Sequence, residues 1–378
     1  MKPDEVVPQQ MSMIREYYRT EMLQLYKLVH EHLLPEEFCL SPKTYRFTWL
    51  SAFVCPGILL LPEQTPIIIK EPIATKPTAK EQSEAKDKLL NLAYLKQTFV
   101  KTGNAVPPKG SKNKNNIGAF ASLPHLNTAC PLTSKYRLSL PLQQRWPDAI
   151  GIGFPKCGTS ATSFIDCHPK FVYRDGEPYF WTDRTKMESG LSEYPLPEAA
   201  VDEILIEKTP DYSLGGAATL KYRAEQIQKH IPNVKLIVYL CDPAQRAFSH
   251  IKMQSRRTPD RFDKIWEHHD EMSAIRVLGE YLNQDESINT KPKKLPAMDV
   301  IITYGEYYEQ LKPYMETFNI SNFHFVDGGG IVENPAREFM EFEDFFGVEH
   351  ELEFKFNSTK GYPCLTRPVP MCLGKDKG

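Results

Sequence analysis

The segment Gly153-Phe154-Pro155-Lys156-Cys157-Gly158-Thr159-Ser160 gathers the residue types that grip an anion. Glycines let the backbone curl until successive N–H groups converge, a lysine adds a full positive charge, and a helix expected to open near Thr159 adds a partial one. The hydroxyls of Thr159 and Ser160 stand where they can donate to phosphate oxygens. The lysine precedes the second glycine, unlike the G-x-x-x-x-G-K-[ST] loop of nucleotide triphosphatases. No hydroxyl follows a lysine to hold magnesium, which disfavours ATP chemistry. Taken alone, the segment also fits a glycine turn with an incidental lysine.

Such a loop needs a strand before it, and Ala149-Ile150-Gly151-Ile152-Gly153 supplies one. Further short apolar runs, Phe171-Val172-Tyr173, Val234 to Leu240 and Phe323 to Val326, alternate with helical stretches. This alternation predicts an α/β domain whose parallel sheet is covered by helices. Ahead of it, Ile14, Tyr18, Leu25, Leu28 and Val29 recur at helical spacing within Met11 to Leu34, an amphipathic packing helix. A second helical stretch, Lys80 to Val100, ends at Gly103, and the polar run from Pro107 to Asn116 reads as a flexible linker. The expected organisation is a mainly helical region over 1–100, a linker and lead-in over 101–145, and the α/β domain over 146–378. No chemistry is assigned before residue 146.

The chain has 378 residues, 41% hydrophobic and 25% charged, enough for one large globular domain and an appendage. A net charge of -2 argues against a general nucleic-acid binder. Local positive charge for an acidic sugar is available in Lys252, Arg256, Arg257, Arg261 and Lys264, residues that equally suit a solvated helix face. The apolar run from Phe47 to Leu61 is broken by Pro56 and Gly57 and falls short of the ~20 residues of a spanning helix. It reads as a buried segment, although Lys43 and Arg46 before it leave a short signal-anchor open. None of the eight cysteines forms a C-x-x-C pair, so no metal site is expected. Asn319-Ile320-Ser321 and Asn357-Ser358-Thr359 are N-glycosylation acceptor patterns.

Several further motifs follow the loop in order: His168-Pro169, Glu177-Pro178-Tyr179-Phe180-Trp181, Glu207-Lys208-Thr209-Pro210-Asp211-Tyr212, and Asp242-Pro243-Ala244-Gln245-Arg246-Ala247-Phe248-Ser249. The C-terminal stretch runs from Phe356 through Cys364-Leu365 to Cys372-Leu373-Gly374-Lys375-Asp376-Lys377-Gly378. In this succession the chain resembles sulfotransferases over about residues 146–378. The C-terminal stretch is especially similar to the heparan sulfate glucosaminyl 3-O-sulfotransferases and the related N-sulfotransferases.

The resemblance implies a P-loop-like sulfotransferase domain that uses 3′-phosphoadenosine 5′-phosphosulfate as co-substrate, needs no metal, and sulfates a glycosaminoglycan such as heparan sulfate. The acceptor would be a sulfated or carboxylated polysaccharide. By matching position, Glu177 is the base, and Lys156 and Lys208 hold the bridging and 5′-phosphate oxygens. Cys157, Gly158, Thr159 and Ser160 complete the 5′ cradle. Ser249 serves the 3′-phosphate together with position 241, where the family often has arginine and this chain has Cys241. Losing that arginine would cost ~1.5–3 kcal/mol of donor binding, with Arg246, Lys375 or Lys377 as substitutes. Lys375, Lys377 and Gly378 belong to the segment that closes over the nucleotide, and the domain is expected to be truncated there. The family pairs the cysteines at positions 364 and 372 as a disulfide, and its members work in the Golgi lumen or membrane. The family histidine two residues after the base is Tyr179 here. A second reading is therefore carried: a degenerate member that binds nucleotide or glycan without turnover. A small-molecule P-loop kinase would need a magnesium-holding hydroxyl and an acidic partner that the sequence lacks.

Overall fold

Five short, buried runs of sequence pair side by side into one sheet, in a computed structural model that describes residues 16–29, 49, 141–173, 176–194, 199–257 and 296–372, apart from the side chains of 27–29, 255–257 and 296–299. The strands are β1 (Ala149–Gly153), β2 (Phe171–Tyr173), β3 (Ile204–Lys208), β4 (Lys235–Leu240) and β5 (Phe323–Asp327). Their order is β2-β3-β1-β4-β5 and every pairing is parallel. β1 is buried along its whole length, as a central strand covered on both faces must be. A separate antiparallel hairpin, β6 (Glu353–Asn357) with β7 (Tyr362–Arg367), follows near the C-terminus.

The helices are α1 (Arg19–Val29), α2 (Arg184–Ser189), α3 (Ala217–His230), α4 (Pro243–Arg257), α5 (Pro296–Thr303), α6 (Tyr307–Met315), α7 (Gly330–Glu333) and α8 (Pro335–Phe346). The expected α/β class is what forms. The chain order reverses around β1: β2 and β3 lie on one side, β4 and β5 on the other. In open sheets of this kind the crevice at the carboxyl ends of the strands, where order reverses, is the usual ligand site.

The chain divides into two compact units, Met1–Ile58 with Leu123–Gly378, and Leu59–Ser122. Leu59–Ser122, the stretch from Lys80 to Val100 and the run from Pro107 to Asn116 lie outside the described residues, as does Phe47 to Leu61 apart from Trp49. Within the first unit, α1 buries Met22, Leu25 and Tyr26, Tyr18 just ahead of it is buried too, and the helix packs on α6. The Tyr18 hydroxyl donates to the Ile302 carbonyl at 3.0 Å. Gly305 makes room for that ring, since a Cβ there would stand 2.6 Å from Tyr18 Cζ. Among the described residues no helix is long and apolar enough to cross a membrane.

The helix expected after the anion loop forms as a 3-10 helix, Thr159–Cys167. The Thr162 and Ser163 hydroxyls donate back to the carbonyls of Thr159 and Ser160, at 2.7 and 2.9 Å. Such three-residue back-bonding by hydroxyl side chains competes with the four-residue backbone ladder and favours the tighter turn.

Candidate active site

Glycine decides what can meet at the carboxyl end of the sheet. On β1, a Cβ at Gly151 would stand 2.7 Å from Cγ of Lys208, so the missing side chain is what lets the lysine run across the strand. Past the strand end the loop turns with Lys156 at φ 72° and Gly158 at φ 76°. The left-handed region suits glycine and is uncommon for lysine, a sign that the surroundings fix the loop. Those surroundings include the glycine run after β5: a Cβ at Gly328 would come within 2.6 Å of the Cys157 carbonyl oxygen. The Gly328 N–H donates to the Leu240 carbonyl at 2.7 Å, tying this run to β4. Asp327 closes β5, and its side chain accepts from the Gly329 N–H at 2.9 Å. Burial first, then the neighbouring Glu338, pushes the Asp327 carboxyl up.

A covalent tie completes the loop. Cys157 is disulfide-bonded to Cys241, with Cα atoms 5.3 Å apart and 84 positions between them in sequence. The Tyr307 hydroxyl donates to the Cys241 carbonyl at 2.9 Å and lies 3.4 Å from Cys157 Sγ. Two expectations are amended by this. Neither thiol is free to donate to a phosphate, although the backbone of Cys157 stays within the curl. Arg246, considered as a replacement cation at the 3′-phosphate, is buried inside the fold, bonded to the Ile301 carbonyl and in contact with His250 Nδ1 at 3.3 Å. It faces the core because α4 turns its Arg246 face toward α5 and the Tyr304 ring, 5.9 Å away.

Beside the loop, the Lys208 ammonium donates to Glu177 Oε1 at 3.1 Å. The other carboxylate oxygen, Oε2, accepts from the Tyr179 hydroxyl at 2.6 Å. Lys208 is buried, whereas the Glu177 side chain is 32% exposed, so the carboxylate stands at an opening with its lysine behind it. The segment carrying Glu177 is anchored from below by Glu207. That carboxylate, wholly buried, accepts from Trp181 Nε1 at 3.0 Å, the Tyr194 hydroxyl at 2.5 Å and the Tyr212 hydroxyl at 3.3 Å. Burial and then the negative Glu207 push both phenols well above their ordinary range, so they stay donors. Buried Arg223 adds hydrogen bonds to the carbonyls of Trp181 and Leu214.

The structure thus brings Lys208, Glu177 and Tyr179 together, with the Lys208 stem against β1 just before the Lys156 to Ser160 loop. Lys156, Gly158 and Ser160 are partly exposed and Thr159 is buried within that loop. Ser249 is half-buried on α4, two turns past the Cys241 tie. Cys364 and Cys372 are disulfide-bonded and fasten β7 to the chain beyond it. Lys375, Lys377 and Gly378 lie outside the described residues, as do Arg261 and Lys264. Three functional features were missed in the sequence: the Cys157–Cys241 bond, the Glu207 anchor and the Tyr179 hydrogen bond. For the first a signal existed, since each cysteine sits at the end of an apolar run and both runs read as strands of one parallel sheet.

The sulfotransferase domain family matches residues 147–369, a span that holds the loop, Glu177, Lys208 and both disulfide-tied strand ends. The chain belongs to the sulfotransferase family. Among its relatives, the heparan sulfate glucosamine 3-O-sulfotransferase 6 of Homo sapiens is 31% identical over 248 residues, covering 63% of this chain and 65% of its own. The Mus musculus protein of the same name is 29% identical over 281 residues, covering 72% and 75%. The heparan sulfate glucosamine 3-O-sulfotransferase 3B1 of Mus musculus is 31% identical over 245 residues, covering 61% and 56%. The chain therefore spans just under two thirds of the length of the human relative. Solved structures match loosely: a sulfotransferase from Alicyclobacillus acidocaldarius aligns with a TM-score of 0.38 at 16% identity, over 62% of this chain and 88% of its own. The α/β fold stands on the chain's own strand order, β2-β3-β1-β4-β5, all parallel.

Proposed function

We propose that this chain transfers a sulfuryl group from 3′-phosphoadenosine 5′-phosphosulfate to a hydroxyl or amine of a glucosamine-containing glycosaminoglycan of the heparan sulfate type. The observation that carries the proposal is the 3.1 Å contact between Lys208 and Glu177 beside a glycine-shaped anion loop. A cation buried next to the loop fits a leaving phosphate, and a carboxylate at the opening fits an incoming alcohol. The positions of Gly158 and Gly328, where a Cβ would collide, suit a donor cradle built from backbone.

In this reading Lys156, Gly158, Thr159 and Ser160 receive the 5′-phosphosulfate, and Ser249 the 3′-phosphate. Glu177 takes the acceptor proton while the acceptor oxygen forms its bond to sulfur. The bond from sulfur to the bridging phosphate oxygen breaks, and its electron pair leaves with adenosine 3′,5′-bisphosphate. The charge that develops on that phosphate meets Lys156 and Lys208. Lys208 cannot serve the phosphate and Glu177 fully at once, so donor binding draws it away and releases Oε1 to act as base.

Residues 146–378 form the catalytic domain in this reading, with a mainly helical region over 1–100 and a linker and lead-in over 101–145. The acidic acceptor is met by basic residues of α4 and the chain after it. The two disulfides support an oxidising compartment, the Golgi lumen by family resemblance, where Asn319 and Asn357 are open to glycosylation. Asn319 is the exposed one of the two. The degenerate reading draws on one observation, the replacement of a donor-binding arginine by a disulfide-bonded Cys241.

The test is incubation with labelled donor and a panel of desulfated glycans, wild type against Glu177→Gln. We expect label on a heparan-type acceptor with wild type and a loss of two or more orders of magnitude with the variant. Wild type that binds adenosine 3′,5′-bisphosphate yet labels no glycan in the panel would establish the degenerate reading.

A further inference from the structure

We propose that Tyr179 is a positioning residue that holds the Glu177 carboxylate in its working orientation through a phenol hydrogen bond; the inference rests on the sulfotransferase reading of this site. Its hydroxyl lies 2.6 Å from Oε2, while Lys208 takes Oε1, so each carboxylate oxygen has one donor. A phenol has a single hydrogen to give, and here it is given to the carboxylate. When Lys208 turns to the donor phosphate, the Tyr179 bond is the one that remains on Glu177. A side chain on a partly exposed segment, released from both donors, would sample several rotamers, and the base would reach the acceptor proton only part of the time.

The backbone is shaped for this contact. Pro178, with its fixed φ, separates the two residues, and Tyr179 itself sits at φ 53°, ψ 20°, an uncommon conformation for a bulky residue. It is stabilised there by its neighbours: the Thr182 N–H and hydroxyl both donate to the Tyr179 carbonyl, at 3.2 and 2.6 Å, and the Tyr179 N–H points to Thr209 Oγ1 at 3.4 Å. The ring is 42% exposed, so core packing does not account for the strained turn. The turn brings the phenol back over Glu177, and a strained backbone kept at a functional side chain is where such cost is usually tolerated. Tyr179 stands where relatives in the resemblance carry histidine, and either side chain can supply one N–H or O–H donor.

The test compares wild type, Tyr179→Phe and Tyr179→His in sulfuryl transfer, together with the dissociation constant for adenosine 3′,5′-bisphosphate and crystal structures of wild type and Y179F. Loss of one hydrogen bond to a charged group predicts a kcat lowered about tenfold to a hundredfold in Y179F. Nucleotide affinity should stay within about twofold, and Y179H should recover most of the activity. In the crystal the Glu177 carboxylate should leave its wild-type rotamer in Y179F. A kcat within threefold of wild type, or nucleotide affinity that falls in step with kcat, overturns the proposal. If wild type proves unable to transfer sulfuryl, the functional reading fails, and the positioning claim is then decided by the crystals: an unmoved Glu177 in Y179F overturns it.

Discussion

Lys208 crosses β1 at Gly151, where the strand has no side chain to block its stem. Because a Cβ at Gly151 would meet its Cγ at 2.7 Å, the ammonium can be displaced without altering any charged residue. Gly151→Ala should therefore push Lys208 off Glu177 and lower kcat about tenfold or more, and, because Cγ, Cβ and the backbone of Lys208 all stand close, overpacking should also cost about 1–3 kcal/mol of stability, as steady-state kinetics beside thermal melts would reveal. Lys208→Met removes the charge itself and should lower kcat by about a hundredfold to a thousandfold, the usual effect of deleting one group that stabilises developing charge. A Gly151→Ala enzyme as active as wild type would mean that Lys208 need not cross β1 there. Glu177, Lys156 and Lys208 could be singled out as candidates in the sequence because each belongs to a short string in a fixed order. The Tyr179 contact was not, since it depends on a left-handed backbone at a residue whose type gives no hint of it. Glu207 was hidden for another reason: a carboxylate is read as exposed unless its three donors, Trp181, Tyr194 and Tyr212, are known to converge.

At the scale of elements, the Cys157–Cys241 bond staples the ends of two adjacent strands and with them the anion loop. Closing a span of 84 positions contributes ~4.5 kcal/mol in the loop-entropy model, against ~2–3 kcal/mol for the eight-position span of Cys364–Cys372. The paired variant Cys157→Ser with Cys241→Ser should lose about that much stability in denaturant melts and bind adenosine 3′,5′-bisphosphate at least tenfold more weakly, because the curl would no longer be held. Another joint responds to acid. His168 Nδ1 accepts from the Lys170 N–H and its Nε2 lies 3.0 Å from the Glu349 carbonyl, so the neutral ring ties the start of β2 to the chain beyond α8. Burial holds its pKa below the ordinary 6.5. The unfolded chain then takes up the proton first, so this contribution to stability is present above about 6.5 and is lost as pH falls toward the folded value. The melting temperature should decline below that pH in wild type and decline less in His168→Gln. Strands β1, β2, β4 and β5 were legible as apolar runs; β3 was not, as its last two residues, Glu207 and Lys208, are charged and buried only through their partners. The β6–β7 hairpin escaped notice because its exposed face breaks up any apolar run.

The whole molecule depends on its N-terminal helix more than the catalytic motifs suggest. α1 is far in sequence from the sheet, yet Tyr18 lies beneath Gly305 and contributes to the electrostatic surroundings of Arg246. Three buried side chains on this short helix, Met22, Leu25 and Tyr26, with Tyr18 just ahead of it, stabilise the fold by about 1.5–3 kcal/mol each before ordering costs. Gly305→Ala would force its Cβ into the Tyr18 ring, and overpacking of about 1–3 kcal/mol should lower the melting temperature by several degrees. Limited proteolysis should then cut within Arg19–Val29 sooner than in wild type. Helical periodicity made α1 legible; its docking partner was not, because a stripe of apolar residues says that something covers it and not what.

A fragment trimmed to the span that family matching recognises, starting at residue 147, would lack both α1 and Trp146. The Trp146 ring lies within 6.0 Å of Phe180, Trp181 and Tyr194, the last two of which are held by Glu207 beside the Glu177 segment. Such a truncated product would keep Lys156, Glu177 and Lys208 and still present an oily seam on α6 together with a slackened wall beside Glu177. Its fate on expression should be inclusion bodies, while a fragment that also keeps α1 and Trp146 should stay in solution, as the soluble fraction would show.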